Sequence, residues 1–311
     1  MHIYKVTSLL LEELSKTIFG KKEELKLILA TWITGGHLLL EDSPGTGKTV
    51  LSKALSKFVN VKFGRVQFTP DLLPSDIIGS SVIDNETKNI RFVKGPIFST
   101  FFLADEINRA TPRTQSALLE CMAEKQITVE NQTIALDPLF FVVATQNPIE
   151  QHGTFPLPEA QLDRFTMKIS LGYPDAENEI NIVKKNPDKN IENLKPIISA
   201  ELFLNLRNVV STVKVEDSIY EYTIEIVRST RNNPHLSLGA SPRATIALIN
   251  TAKGLAVMNG NNFVRPDDIY KLAPFVLTHR IILNSEAKFA GKTSIGIIND
   301  ILTKVKAPVH K

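Results

Sequence analysis

One stretch restricts the possible folds of this chain more than any other: Leu38-Leu39-Leu40-Glu41-Asp42-Ser43-Pro44-Gly45-Thr46-Gly47-Lys48-Thr49. An apolar strand runs into a tight Gly-Pro loop, and the loop opens directly onto a helix. Glycines let backbone N–H groups turn inward toward a phosphate chain, and the helix N-terminus adds partial positive charge. Lys48 and Thr49 stand where loop meets helix, so the ammonium can reach terminal phosphates and the hydroxyl can ligate Mg²⁺. The candidate nucleotide-binding stretch runs from Asp42 through Val50. It departs from the Walker A spacing G-x-x-x-x-G-K-[ST] at one place, Asp42, where the pattern calls for glycine. A glycine-rich turn before a helix is often only a turn, so the rest of the chain must decide.

That rest supplies a sheet. Residues 37–40, 61–68, 100–104, 139–145 and 166–170 read as buried strands. Phe101-Phe102-Leu103-Ala104 and Phe140-Phe141-Val142-Val143-Ala144 are continuously apolar, as in parallel strands covered on both faces. Helical patterns separate them: 49–58 carries Leu51, Leu55 and Phe58 on one face, and 112–125 carries Ala117, Leu118, Cys121 and Met122. Thr111 and Pro112 are the N-cap and first residue of the latter. Cys121, the single cysteine, falls inside that stripe and reads as a packed thiol in a reducing compartment. Upstream, Leu10, Leu14 and Ile18 form one helical stripe and Leu25, Ile28 and Leu29 another, so Ile18-Phe19-Gly20 is an apolar corner between them and Trp32 is packing. Alternating strands and helices predict a doubly wound α/β domain.

The 311 residues are enough for two domains. Composition changes near Gly172-Tyr173-Pro174, and from Ala200 onward only helical patterns appear, at 202–210, 218–229, 242–257 and 266–277. The expectation is an α/β core over 1–175 and a linker plus small all-helical domain over 176–311. Two hairpins interrupt the core: one within the long insert 69–96, with a polar tip at 85–89, and one over 126–135, turning at 130–132. They are either surface decoration or moving parts.

Polar groups stand at the strand ends, where open α/β sheets bind ligands. Asp105-Glu106 closes an apolar strand as a Walker B pair does: Asp105 to hold Mg²⁺, Glu106 to polarise an attacking water. Asn147, after the strand 139–145, could hold that water or the terminal phosphate, or simply form a turn before Pro148. Arg164, before the fifth strand, and Arg243, opening a helix of the second domain, could stabilise charge on a transferring phosphoryl group; either could equally be a surface ion pair.

The order of these features resembles an AAA+ ATPase, and more narrowly the MoxR family. The resemblance rests on Leu39-Leu40-Glu41-Asp42 before Pro44-Gly45-Thr46-Gly47-Lys48-Thr49, and on Leu103-Ala104-Asp105-Glu106-Ile107-Asn108-Arg109-Ala110. It continues through Thr114-Gln115-Ser116-Ala117-Leu118-Leu119-Glu120, Ala144-Thr145-Gln146-Asn147-Pro148-Ile149-Glu150-Gln151, Pro156-Leu157-Pro158-Glu159-Ala160-Gln161-Leu162-Asp163-Arg164-Phe165 and Gly239-Ala240-Ser241-Pro242-Arg243-Ala244. An acidic residue at the position of Asp42 is a trait of that family. The resemblance implies an AAA+ core whose five-stranded parallel sheet sets the Asn147 strand between those of Lys48 and Asp105, with helix-2 and pre-sensor-1 hairpin inserts and an all-α lid. It makes Asn147 sensor 1, Arg164 an arginine finger reaching a neighbour's ATP, Arg243 sensor 2, and Ile18, Phe19 and Gly20 the flank of the adenine. It implies ATP and Mg²⁺ as cofactors, a homo-oligomeric ring, expected to be a hexamer, and chaperone-like maturation of client proteins, often with a von Willebrand factor A domain partner. His152, Phe155 and Asn261 depart from the residues expected there, Glu, Tyr and Arg.

A nucleic-acid motor or regulator is the competing reading. A net charge of only +3 and an acidic insert loop at 71–79, without basic-aromatic interleaving, count against it. The N-terminus lacks a signal-peptide pattern and no apolar run is long enough to span a bilayer, so a cytoplasmic protein is expected.

Overall fold

The computed structural model describes residues 3–83, 89–129, 132–147 and 153–308. Most of each expected hairpin tip, at 85–89 and 130–132, and His152 lie outside the described residues. Helices α1 (Ile3–Thr17) and α2 (Lys22–Ile33) lead into β1 (Leu38–Glu41), α3 (Lys48–Phe58) and β2 (Phe63–Gln67). The first insert contains α4 (Pro74–Ile78) and the antiparallel pair β3 (Gly79–Ile83) and β4 (Ile90–Lys94). Then follow β5 (Phe101–Asp105), α5 (Pro112–Glu124), the second hairpin β6 (Gln126–Val129) and β7 (Gln132–Ala135), β8 (Phe141–Gln146), α6 (Glu159–Leu162) and β9 (Met167–Ile169). The periodic reading missed α4, a helix too short to show a stripe.

The central sheet has the order β2-β5-β8-β1-β9, and every neighbour is parallel. The strand ending near Asn147 therefore lies between those ending at Asp105 and before the glycine loop, as the resemblance implied. Side chains alternate across the pleat. Leu38, Leu40, Phe101, Leu103, Phe141 and Val143 join one core with α1, α2 and α3. Leu39, Phe102, Ala104, Val142 and Ala144 join a second core under α5. Both faces are covered, which is why these strands are apolar at every position. Cys121 is buried there, and burial pushes its thiol up to about 12, so it is packing.

Past β9 come α7 (Ala176–Lys185), α8 (Pro187–Asn190), α9 (Ala200–Ser211) and α10 (Asp217–Arg231). The lid is completed by β10 (Leu236–Leu238), α11 (Pro242–Met258), α12 (Pro266–Leu277), β11 (Ile282–Leu283), α13 (Ser285–Phe289) and α14 (Ser294–Lys304). The lid is helical apart from the ribbon β10–β11, whose two- and three-residue strands are too short to leave a period-two signal. It packs on the core through the first cluster, with α11 against α2: a Cβ at Gly254 would lie 2.7 Å from the Ala30 carbonyl oxygen, so glycine sets that close approach. Among the described residues no helix is long and apolar enough to cross a membrane.

Candidate active site

At the C-terminal end of the sheet a cavity of about 440 Å³ opens. One wall is the loop from Pro44 to Val50; the floor is Asp105, Glu106, Thr145, Gln146 and Asn147; Arg65 and Gln67 close the far side. Gly45 and Gly47 both have φ +83, a left-handed conformation costly for other residues, and a Cβ on either would meet nothing within 4 Å. The loop thus presents backbone to open space, and α3 starts at Lys48 beside it. The Lys48 ammonium donates to the carbonyl oxygens of Ser43 at 2.9 Å and Asp42 at 3.1 Å.

Asp42 faces the other way. Its carboxylate is buried and accepts from the Ser170 hydroxyl at 2.7 Å, the Leu171 N–H at 2.7 Å and the Gly172 N–H at 2.8 Å. Only its backbone borders the loop. The acidic residue that breaks the glycine pattern ties the loop to the chain leaving β9, a job glycine has no side chain to do.

The floor is a connected polar network. The Glu106 N–H donates to Thr145 Oγ1 at 2.8 Å, and that hydroxyl donates to Asp105 Oδ1 at 2.7 Å. Asp105 Oδ2 accepts from Arg65 Nη2 at 2.8 Å, and Glu106 Oε2 from Arg109 Nη1 at 3.0 Å. Glu106 has φ +57, a strained left-handed backbone for a residue with a side chain. Such strain costs about 1–3 kcal/mol and persists only where neighbours hold it, here Thr145 and Arg109. Asn147 is buried at the end of β8 and lines the same cavity.

Not every candidate residue comes to this cavity. Arg164 is exposed and donates to the Leu119 carbonyl oxygen at 2.7 Å, over the C-terminal half of α5. Arg243 is exposed on the first turn of α11. Neither lines the cavity, nor do Ile18, Phe19 and Gly20. That corner instead meets α7: Gly20 lies against Asn178, and the Lys185 ammonium sits 5.0 Å from the centre of the Phe19 ring. The sequence reading missed Arg65, Gln67, Thr145 and Arg109 as parts of the site. The alternation of Arg65 and Gln67 on edge strand β2 was the available signal, since period two puts both on one face.

Comparison with known proteins places this geometry. Residues 37–167 match the ATPase family associated with various cellular activities (AAA), and residues 228–301 match the AAA lid domain. The uncharacterized protein YeaC of Bacillus subtilis is 47% identical over 304 residues, 96% of this chain and 94% of that protein. Chaperone MoxR1 of Mycobacterium tuberculosis is 36% identical over 308 residues, 95% of this chain and 81% of that one. A crystal structure of a Cytophaga hutchinsonii protein assigned as an ATPase superposes with a TM-score of 0.92 at 42% identity, covering 99% of this chain and 96% of that one.

Proposed function

The chain belongs to the MoxR family of AAA ATPases, and on that premise we propose that it binds and hydrolyses Mg²⁺·ATP in a ring, six subunits by family, to remodel or mature client proteins. The observation that carries this reading is the convergence of Lys48, Thr49, Asp105, Glu106 and Asn147 on one cavity from three adjacent parallel strands. The glycine loop and the start of α3 wrap the phosphates, and Lys48 exchanges its loop carbonyls for phosphate oxygens. The Thr49 hydroxyl and Asp105 carboxylate are hard oxygen donors lining the same cavity, the donor set Mg²⁺ takes beside phosphates. Bound there, the ion would neutralise charge on the phosphate chain. Glu106 orients and polarises the attacking water, and Asn147 fixes that water against the terminal phosphate.

Two further arginines complete the site from outside it. Arg164 lies on the molecular surface, away from its own subunit's cavity, which suits a finger offered to the next subunit's ATP. Arg243 heads a lid helix and closes over the nucleotide as the lid moves. The core over 1–175 and the linker and lid over 176–311 are then the two bodies that ATP draws together. On hairpin β3–β4, Ile83 and Ile90 are 65% and 67% exposed, an apolar edge suited to a protein client, with or without a von Willebrand factor A domain.

The decisive experiment is Glu106→Gln in the full-length chain. Turnover is expected to fall by about 10²–10⁴-fold, the size of effect typical of an acid–base group, while ATP binding is retained. Undiminished hydrolysis by this variant would sink the assignment.

A further inference from the structure

The chain on either side of Arg164 is held by a residue of the lid. Arg280, just past α12, is buried to 3% side-chain exposure and aims its guanidinium at the segment 163–166. Its Nε donates to Asp163 Oδ1 at 2.7 Å, its Nη2 to the carbonyl oxygens of Phe165 at 2.7 Å and Asp163 at 3.3 Å, and its Nη1 to that of Thr166 at 3.0 Å. Nη1 also donates to the Val276 carbonyl oxygen within the lid. His279 adds a contact of 3.0 Å from its Nε2 to the Phe165 carbonyl oxygen. Three backbone carbonyls flanking Arg164 thus belong to one planar, five-donor fork from the other domain. A lysine ammonium could not serve them together.

The second oxygen of Asp163 leads elsewhere in the lid. Oδ2 accepts from the Ser241 hydroxyl at 3.0 Å, and Ser241 is the N-cap of α11, its Oγ accepting the Arg243 N–H at 3.2 Å. A short path therefore runs from the helix end that carries Arg243, through Ser241, to the carboxylate of the residue directly before Arg164. Packed hydrogen-bonded chains of this kind carry coupling when both ends belong to an element with two arrangements.

We infer that Asp163, Ser241 and Arg280 are positioning residues that make a subunit's lid and its own Arg164 move together, so that nucleotide bound in one subunit sets the arginine offered to the next. This rests on the proposed ATPase site and finger, and adds the link between them.

The test is amide hydrogen exchange on the full-length Glu106→Gln chain, with and without Mg²⁺·ATP, comparing Ser241 with Ser241→Ala. Ser241→Ala cuts the path but leaves the Asp163–Arg280 pair intact. Thr293→Ala, which removes the N-cap of α14, controls for a lost cap. ATP is expected to slow exchange both in the loop 42–50 and in 163–166 when Ser241 or the Thr293→Ala control is present. In Ser241→Ala the loop should respond as before and the response of 163–166 should fall about fivefold or more, the low end of coupling between sites. A loop response with no change at 163–166, or with a change there that survives Ser241→Ala, overturns the inference and leaves the ATPase reading standing. No response in the loop itself overturns both. With Glu106 restored, Arg280→Lys should lower kcat about tenfold with KM for ATP within about twofold, whereas a merely structural role would leave kcat per folded molecule unchanged.

Discussion

The two ends of the central sheet are built on opposite plans. At the N-terminal ends of β5 and β8, Phe101 and Phe141 close on Trp32, with ring centres 5.2 and 5.3 Å away, and Phe203 of α9 packs on it tilted by 48° at 4.6 Å. The indole N–H is satisfied by the Leu139 carbonyl oxygen at 2.9 Å. At the C-terminal ends, only four to six residues further along the same strands, Asp105, Glu106, Thr145 and Asn147 border about 440 Å³ of open space. One end is apolar and full; the other is polar, strained and open. The difference separates stability from chemistry along a single set of strands, so that substitutions at the two ends should be felt in different measurements.

The sharpest test of that separation is at the full end. Trp32→Ala removes a fully buried side chain that joins α2, the sheet and α9. The expected loss is about 3–5 kcal/mol, read as a lower midpoint of denaturant unfolding. The ATP affinity of the fraction that remains folded should not change, because no atom of the cavity is touched. A large change in affinity would break the separation.

At the open end the expected effect is smaller and of the other kind. Thr145→Val keeps the shape of a buried side chain while deleting the hydroxyl that accepts from the Glu106 N–H and donates to Asp105. The left-handed backbone of Glu106 loses its anchor and Asp105 loses one of its two donors. An unsatisfied buried group costs about 1–3 kcal/mol, and here that cost should appear mainly as turnover, about 30-fold lower, equivalent to about 2 kcal/mol. An unfolding midpoint that falls while turnover per folded molecule stays constant would place Thr145 with the packing.

The contrast between the ends also explains what the sequence could disclose. The loop at 42–50 and the Asp105-Glu106 pair stood out as candidates because each is local: a run of apolar strand followed within one or two residues by the polar group it presents. Asn147, as readily a turn before Pro148, gained a role only from the family resemblance. Strand order was not legible from periodicity and came only with the family resemblance. Arg65 escaped notice because alternation on an edge strand puts Arg65 and Gln67 on one face without naming what that face meets, and its partner Asp105 is 40 residues away. Arg280 escaped for the same reason, its carboxylate partner lying 117 residues earlier. Asp42 was visible as an exception to a pattern, but its task, holding the N–H groups of Leu171 and Gly172, depends on a turn brought to it by β9. Adjacent residues disclose function; distant partners disclose it only once the chain is folded.

The packed end also holds a titratable group that should set the acid limit of the fold. His37, at the foot of β1, is fully enclosed: its Nδ1 accepts from the Val142 N–H at 3.0 Å, which leaves Nε2–H to donate to the Met122 carbonyl oxygen at 3.2 Å. Both ring nitrogens are satisfied in the neutral form, and burial lowers its pKa to about 3, with Lys125 and Arg207 adding to the shift. In the unfolded chain the same group titrates at about 6.5. Between those values the unfolded chain takes up a proton that the native state refuses, so stability is at its full value above about pH 6.5 and falls as the pH drops toward 3. The loss from His37 alone should reach about 1.4 kcal/mol by pH 5.5. His279, also held neutral by burial and by the neighbouring Arg280, adds a loss of the same sign. His37→Gln can reproduce both hydrogen bonds without titrating. Whatever it costs at pH 8, it should therefore reduce the slope of stability against pH between 7.0 and 5.5, where few carboxylates titrate. The same slope in wild type and His37→Gln would mean that the native state accepts the proton, and that the full end of the sheet is less closed than its packing indicates.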